Sequence, residues 1–185
     1  KLENLQNAVI YDVPGFDSPT SMHLEQTKQR MKEADAIMLI ASAEKPDFTA
    51  PALNMFQEVV DEDNVSLSDK LFIFGNRADG ATTLAKNIQR LKDEAERWKL
   101  LKRGFFEDRI MVGSAKAHLE ICGILSSDSC RRKVEEDKEY KLAWPHGDGI
   151  KYAYEKLIAY NENERFEIVK KKIRKNNEEL KQIFQ

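Results

Sequence analysis

Four short apolar runs, separated by longer segments of helical period, constrain this chain more than any other feature. They are "AVIYD" (8–12), "AIMLIASA" (36–43), "KLFIFGN" (70–76) and "RIMVGSA" (109–115), each of strand length and each bounded by Gly, Pro or polar residues. Unbroken apolar runs suit strands covered on both faces, and such strands belong to parallel sheets. Between the runs, Thr20 to Ala34, Pro51 to Glu62 and Ala81 to Lys102 carry apolar residues at helical spacing. Strand and helix alternating in this order predict an α/β chain: a doubly wound, mainly parallel sheet with flanking helices.

Beyond Ala117 the pattern changes. Residues 126–149 are charged, turn-rich and end in the breaker "WPHGDG", which predicts a connecting segment. From Ile150 to Phe184, apolar residues recur at Ile150, Tyr154, Leu157, Ile158, Phe166, Val169, Ile173, Leu180 and Ile183. That is a helical period continued well past one sheet-covering helix, with a kink expected near Asn161 to Glu164, where the period lapses. The expected divisions are therefore 1–125, 126–149 and 150–185.

With 185 residues the chain can bury roughly 70% of its unfolded surface. Lys and Arg total 30 against 32 Asp and Glu, a formal charge of −2, which argues against a nucleic-acid binder working by bulk electrostatics. Cys122 and Cys130 lack metal-ligand spacing, and such sparse usage suits a reducing compartment, so a cytoplasmic location is expected. No apolar run approaches the roughly 20 residues that span a bilayer, and no signal peptide precedes the first run; the chain is not expected to cross a membrane by itself.

Open parallel sheets bind ligands beyond the carboxyl ends of their strands, so those ends are where chemistry is sought. The first run ends in Asp12-Val13-Pro14-Gly15, the third in Asn76-Arg77-Ala78-Asp79, the fourth in Ser114-Ala115-Lys116. An aspartate at a strand end can hold a water of a Mg²⁺ shell, because that ion keeps several waters and takes only one or two carboxylates. Gly15 lets a backbone N–H approach a terminal phosphate. D-x-P-G is also an ordinary turn, and Asp79 before "GATTLAKNIQRL" is also an N-cap candidate for a helix.

Taken together and in this order, the three segments resemble the last three nucleotide-binding motifs of the P-loop GTPases, D-x-x-G, N-K-x-D and S-A-K. The resemblance implies that Asp79 accepts hydrogen bonds from guanine N1–H and its exocyclic amine. It also implies that Asn76 bridges the base and the neighbouring loops, and that the small Ser114 and Ala115 let a backbone N–H reach the guanine carbonyl, with Lys116 packing nearby. Asp12, Gly15, Asn76, Arg77, Asp79, Ser114, Ala115 and Lys116 are thus the expected nucleotide-binding residues, and Asp12 the expected metal contact. Arg77 stands where the family usually has lysine; its stem can lie along the base, but its head is bulkier and planar.

The phosphate-binding loop G-x-x-x-x-G-K-S/T and the first switch threonine do not occur in the chain. "GNRADGAT" has glycines at that spacing, yet Ala81 stands where the lysine belongs, and no such loop follows the third motif, so a circular permutation is unsupported. The expectation is a chain that starts partway through a GTPase domain, 1–125 being its C-terminal part, and that hydrolyses no GTP alone; no catalytic residue is assigned. "DVPGFDSP" and the long charged tail look like bacterial dynamin-like proteins, in which the last helix of the GTPase domain continues into a helical neck. That implies GTP hydrolysis with Mg²⁺, self-association through the GTPase face, and peripheral membrane contact through regions outside this chain. The alternative is a pseudo-GTPase or adaptor that binds a partner through the charged helix. His23 and His118, near helix starts, read as surface or capping residues.

Overall fold

In the computed structural model, residues 9–13, 21–48 and 67–183 are described. They fall into two compact units: 36–48 with 70–157, and 9–13, 21–35 and 67–69 with 158–183.

The unit that carries the motifs is built on a parallel sheet of β1 (Ile37–Ser42), β2 (Leu71–Asn76) and β3 (Ile110–Val112), in the order β1-β2-β3. Ile37 lies opposite Leu71 and Ser42 opposite Asn76, while Ile73 lies opposite Ile110 and Gly75 opposite Val112. All three carboxyl ends therefore leave the sheet at one edge. Central β2 is apolar from Leu71 to Gly75 because both its faces are covered: Leu71, Phe72, Ile73 and Phe74 are all buried, each contributing about 1.5–3 kcal/mol by leaving water. Arg109, just before β3, is buried as well; its guanidinium lies 4.4 Å from the Phe72 ring centroid and donates from Nη1 to Leu71 O at 3.3 Å. On β1, by contrast, Leu39 is buried and Ile40 is 58% exposed.

Helix α2 (Leu84–Arg97) turns Leu84, Leu91 and Ala95 inward. Its apolar face follows the i, i+4, i+7 rule. Helix α3 (Ala115–Ile121) starts directly after β3. The charged stretch 126–149, expected to be a connection, holds two helices, α4 (Ser129–Glu136) and α5 (Lys138–Ala143). Each buries only one or two residues, Cys130 and Val134 on α4 and Tyr140 on α5, and α5 is capped by Asp137, which accepts from Tyr140 N at 2.8 Å. So few apolar positions leave no readable period.

Helix α6 (Ile150–Asn163) is followed by α7 (Arg165–Ile183), with Glu164 as the turn between them. The interruption falls within the expected stretch, Asn161 to Glu164. The backbone ladder passes through it, since Glu164 N donates to Tyr160 O at 2.9 Å and Ile168 N to Glu164 O at 3.2 Å. In the other unit α1 (Ser21–Glu33) covers most of the predicted Thr20 to Ala34. There the Tyr160 hydroxyl donates to Asp35 O at 2.7 Å and Arg165 pairs with Asp35 Oδ2 at 2.8 Å.

The first predicted strand does not form within the described residues. Among the described residues, 9–13 join no strand ladder, and Val9, Ile10 and Tyr11 are exposed. Strand propensity measures fit to a covered, paired surface, so an apolar run without a ladder partner stays irregular. The predicted helix Pro51 to Glu62 lies outside the described residues.

Candidate functional site

The N-R-A-D and S-A-K segments leave neighbouring strands at the same edge of the sheet, and Asn76 ties them together. Its Oδ1 accepts from Arg77 N at 2.8 Å and from Ala115 N at 3.0 Å. A second link runs from Ala78 N to Gly113 O at 2.9 Å. Forming both requires the chain to reverse just after β2, and Arg77 does so in the left-handed region, at φ 65° and ψ 32°. A non-glycine residue held there carries strain of roughly 1–3 kcal/mol, which the surrounding hydrogen bonds offset. The Arg77 side chain is exposed and lies 3.6 Å from Glu44 Oε2.

Asp79 sits in a short 3₁₀ turn, Ala78–Gly80, and does not cap the following helix, whose N-cap position is Thr83. That removes the competing role for its carboxylate. It is half-buried beside the Cys130 thiol: burial first, and hydrogen bonding to Asp79 second, push that thiol's pKa up. The same carboxylate, after burial itself, helps to raise the Tyr140 phenol. An ionised carboxylate has about four acceptor sites, so one thiol donor leaves room for two more donors.

Ser114 is fully buried and caps α3, its Oγ accepting from Ala117 N at 3.0 Å. Its own N–H donates to Asp148 O at 2.9 Å. The amides of Ser114 and Ala115 are therefore both engaged inside the fold. Among the described residues the Lys116 N–H is the amide of this segment left without a partner, and its side chain is exposed.

The loop geometry rests on close backbone packing. A Cβ on Gly113 would stand 2.1 Å from Asp148 O, and one on Gly149, at φ 78°, 2.1 Å from Val112 O. The segment before α6 is thus pressed against the end of β3. Asp148 completes the join: its Oδ1 accepts from Ile150 N at 2.9 Å, and its Oδ2 lies 3.0 Å from His118 Nδ1. The Tyr140 hydroxyl donates to Gly147 O at 2.8 Å. Glu120, also buried, holds the start of α4 through Arg131 N at 2.7 Å; burial pushes its carboxyl up, but hydrogen bonds from Arg131, Ser127 and Cys130 outweigh that and leave it lowered.

No family model, curated protein or solved structure matches the chain.

Six of the eight expected residues thus lie together in one unit: Asn76, Arg77, Asp79, Ser114, Ala115 and Lys116. Asp12 is exposed and belongs to the other unit, and Gly15 lies outside the described residues. Among the described residues no group of three or more His, Cys, Asp or Glu could hold a metal ion. A cleft of about 320 Å³ opens beside the start of α2 and α5, lined in part by Thr83, Lys133 and Tyr140; it includes none of the eight. Among the described residues no helix is long and apolar enough to cross a membrane. Sequence reasoning passed over Asp148, a residue of the breaker segment that touches both the S-A-K loop and α3.

Proposed function

We propose that the chain is part of a guanine-nucleotide-binding GTPase of dynamin-like type, with the N-R-A-D and S-A-K loops forming the base-recognition end of its site. One observation carries the reading: Asn76 Oδ1 joins the two loops through Ala115 N, at 3.0 Å, in front of a parallel sheet's carboxyl edge. Asp79 is the residue that would accept from guanine N1–H and the exocyclic amine, and the Lys116 N–H is the donor left for the guanine carbonyl. Arg77, already turned outward, would lay its stem along the base.

Mg²⁺, when bound with the nucleotide, would neutralise phosphate charge, and a single carboxylate such as Asp12 suffices to hold one water of its shell. Hydrolysis in this class rests on positioning and charge stabilisation rather than covalent chemistry. The share of the N-R-A-D and S-A-K loops is the base. A cytoplasmic location, GTP and GDP as ligands, self-association through the nucleotide face and peripheral membrane contact through other regions belong to the same proposal.

A pseudo-GTPase adaptor is the second reading, and one observation favours it: α7 leaves Phe166 60%, Ile173 55% and Leu180 51% exposed along one helix. Replacing Asp79 by Asn in the full-length protein separates the two. Two hydrogen bonds to a charged acceptor are worth about 1.5–3 kcal/mol each, so GTP affinity should fall by roughly two to four powers of ten. Xanthine carries a carbonyl where guanine has the amine, so the Asn variant should prefer xanthosine triphosphate. Retained preference for GTP over the xanthosine analogue would refute base recognition by Asp79; no nucleotide binding by the unmutated protein would favour the adaptor.

A further inference from the structure

Nearly two turns past the S-A-K segment, Cys122 closes α3 and is exposed, its Sγ 3.6 Å from His118 Nε2. The other ring nitrogen, Nδ1, lies 3.0 Å from Asp148 Oδ2. A carboxylate only accepts, so Nδ1 carries the proton, and Nε2 is left with a lone pair facing the Cys122 S–H. Thiol, imidazole and carboxylate thus stand in series, drawn from two parts of the chain. Asp148 is held in place: its other oxygen accepts from Ile150 N, its carbonyl accepts from Ser114 N, and only 13% of its side chain is exposed.

We propose that Cys122 is a nucleophilic thiol, with His118 as its base and Asp148 as the residue that orients the imidazole, and that its substrate class is the disulfide of a small thiol. The carboxyl-terminal end of a helix does not favour a negative sulfur. His118 is therefore the activating group.

The choice of substrate follows from the backbone around the sulfur. Acyl transfer needs N–H donors aimed at a developing oxyanion. Here the Cys122, Gly123, Ile124 and Leu125 amides all donate within the fold, to His118 O, Glu120 O, Leu119 O and Leu119 O. Thiol–disulfide exchange develops no oxyanion and asks only for in-line access to sulfur. Access is open, since Cys122 is exposed.

In the step, His118 Nε2 takes the thiol proton as Cys122 Sγ attacks one sulfur of the disulfide. A Cys122–S–S–R bond forms and the reagent's S–S bond breaks. Its electron pair leaves on the second sulfur, which takes the proton back from the imidazolium. Cys122 is oxidised, and the small disulfide, which is the oxidant, is reduced to one free thiol and one bound half.

The test is incubation of the full-length protein with oxidised glutathione at pH 7, with the mixed disulfide located by peptide mass spectrometry over time. Cys122 should be modified about tenfold faster than in the urea-unfolded chain, whose cysteine has no base beside it, and buried Cys130 should lag behind. His118→Gln should remove the advantage. Asp148→Asn, which still accepts from Ile150 N but offers Nδ1 no acceptor, should do the same. Raising the pH above the ordinary cysteine range, about 8.5, should erase the gap between the His118→Gln and unmutated proteins, because a thiol already ionised needs no base. If Cys122 reacts no faster than the unfolded reference, or the variants match the unmutated protein, the proposal fails. A gap that persists unchanged at high pH also overturns it, since that marks lost access rather than a lost base.

Discussion

The Asn76 bridge sets a stability that can be measured separately from any ligand. Its Oδ1 takes two backbone N–H groups, from Arg77 at 2.8 Å and Ala115 at 3.0 Å. Each such bond nets about 1 kcal/mol, and a partly buried donor left unsatisfied costs about 1–3 kcal/mol. Asn76→Ala strands both donors, so it should destabilise by about 2–3 kcal/mol, a large part of a small unit's margin. Asn76→Asp keeps a side-chain oxygen in the same place and should stay within about 1 kcal/mol of the parent. Urea unfolding followed by circular dichroism gives both numbers, provided the slope with denaturant is unchanged, so that a shifted midpoint means a shifted stability. Equal losses in the two variants, or a loss under about 0.5 kcal/mol in Asn76→Ala, would mean that the loops are held by packing and by the Ala78–Gly113 bond, and that the bridge is incidental.

Gly113→Ala would push a methyl against Asp148 O and should lower the urea midpoint more than a surface substitution does, by about 2 kcal/mol or more, because the obstacle is backbone and cannot rotate away. Tyr140→Phe loses the hydrogen bond to Gly147 O and should cost about 0.5–1.5 kcal/mol at neutral pH. Burial, then Asp79 and Asp148, raise the Tyr140 pKa above 10.0 in the folded protein, so its stabilisation is complete below that pH and is lost as pH climbs beyond it. The gap between the unmutated and Phe proteins should therefore shrink above pH 10.0 in parallel urea titrations; a constant gap would refute burial of the neutral phenol.

What could be read from the sequence tracks how completely an element is covered. Strands β2 and β3 sit in runs whose residues are buried on both faces, so composition alone marks them. Residues 9–13 are similarly apolar but join no ladder among the described residues, and composition carries no information about a neighbour. Helices α4 and α5 escaped notice because Cys130, Val134 and Tyr140 are too few to make a period, and Asp137 and Glu120, which fix their starts, look like ordinary surface charge. At the site, N-x-x-D and S-A-K name residues that do lie side by side. Their hydrogen bonding was not legible, because Ala115 N is claimed by Asn76 and Ser114 N by Asp148. His118 and Cys122 share a helical face in "HLEIC", a spacing any reader can see. The third member, Asp148, arrives from a distant loop, and only the fold supplies it.

The press of residues 147–149 against the end of β3 also has a kinetic side. Backbone meets backbone there, so the join forms only after β3 has taken its place beside β2 and the start of α6 has come back across the intervening helices. Contacts of such long sequence separation are among the last to form and the easiest to release locally. The Ser114 amide, bound to Asp148 O, is then a natural reporter. Its hydrogen exchange should run ahead of the Gly113 amide, which is bound to Gly75 O within the sheet edge, and the difference measures how often the loop lifts away while the sheet stays whole.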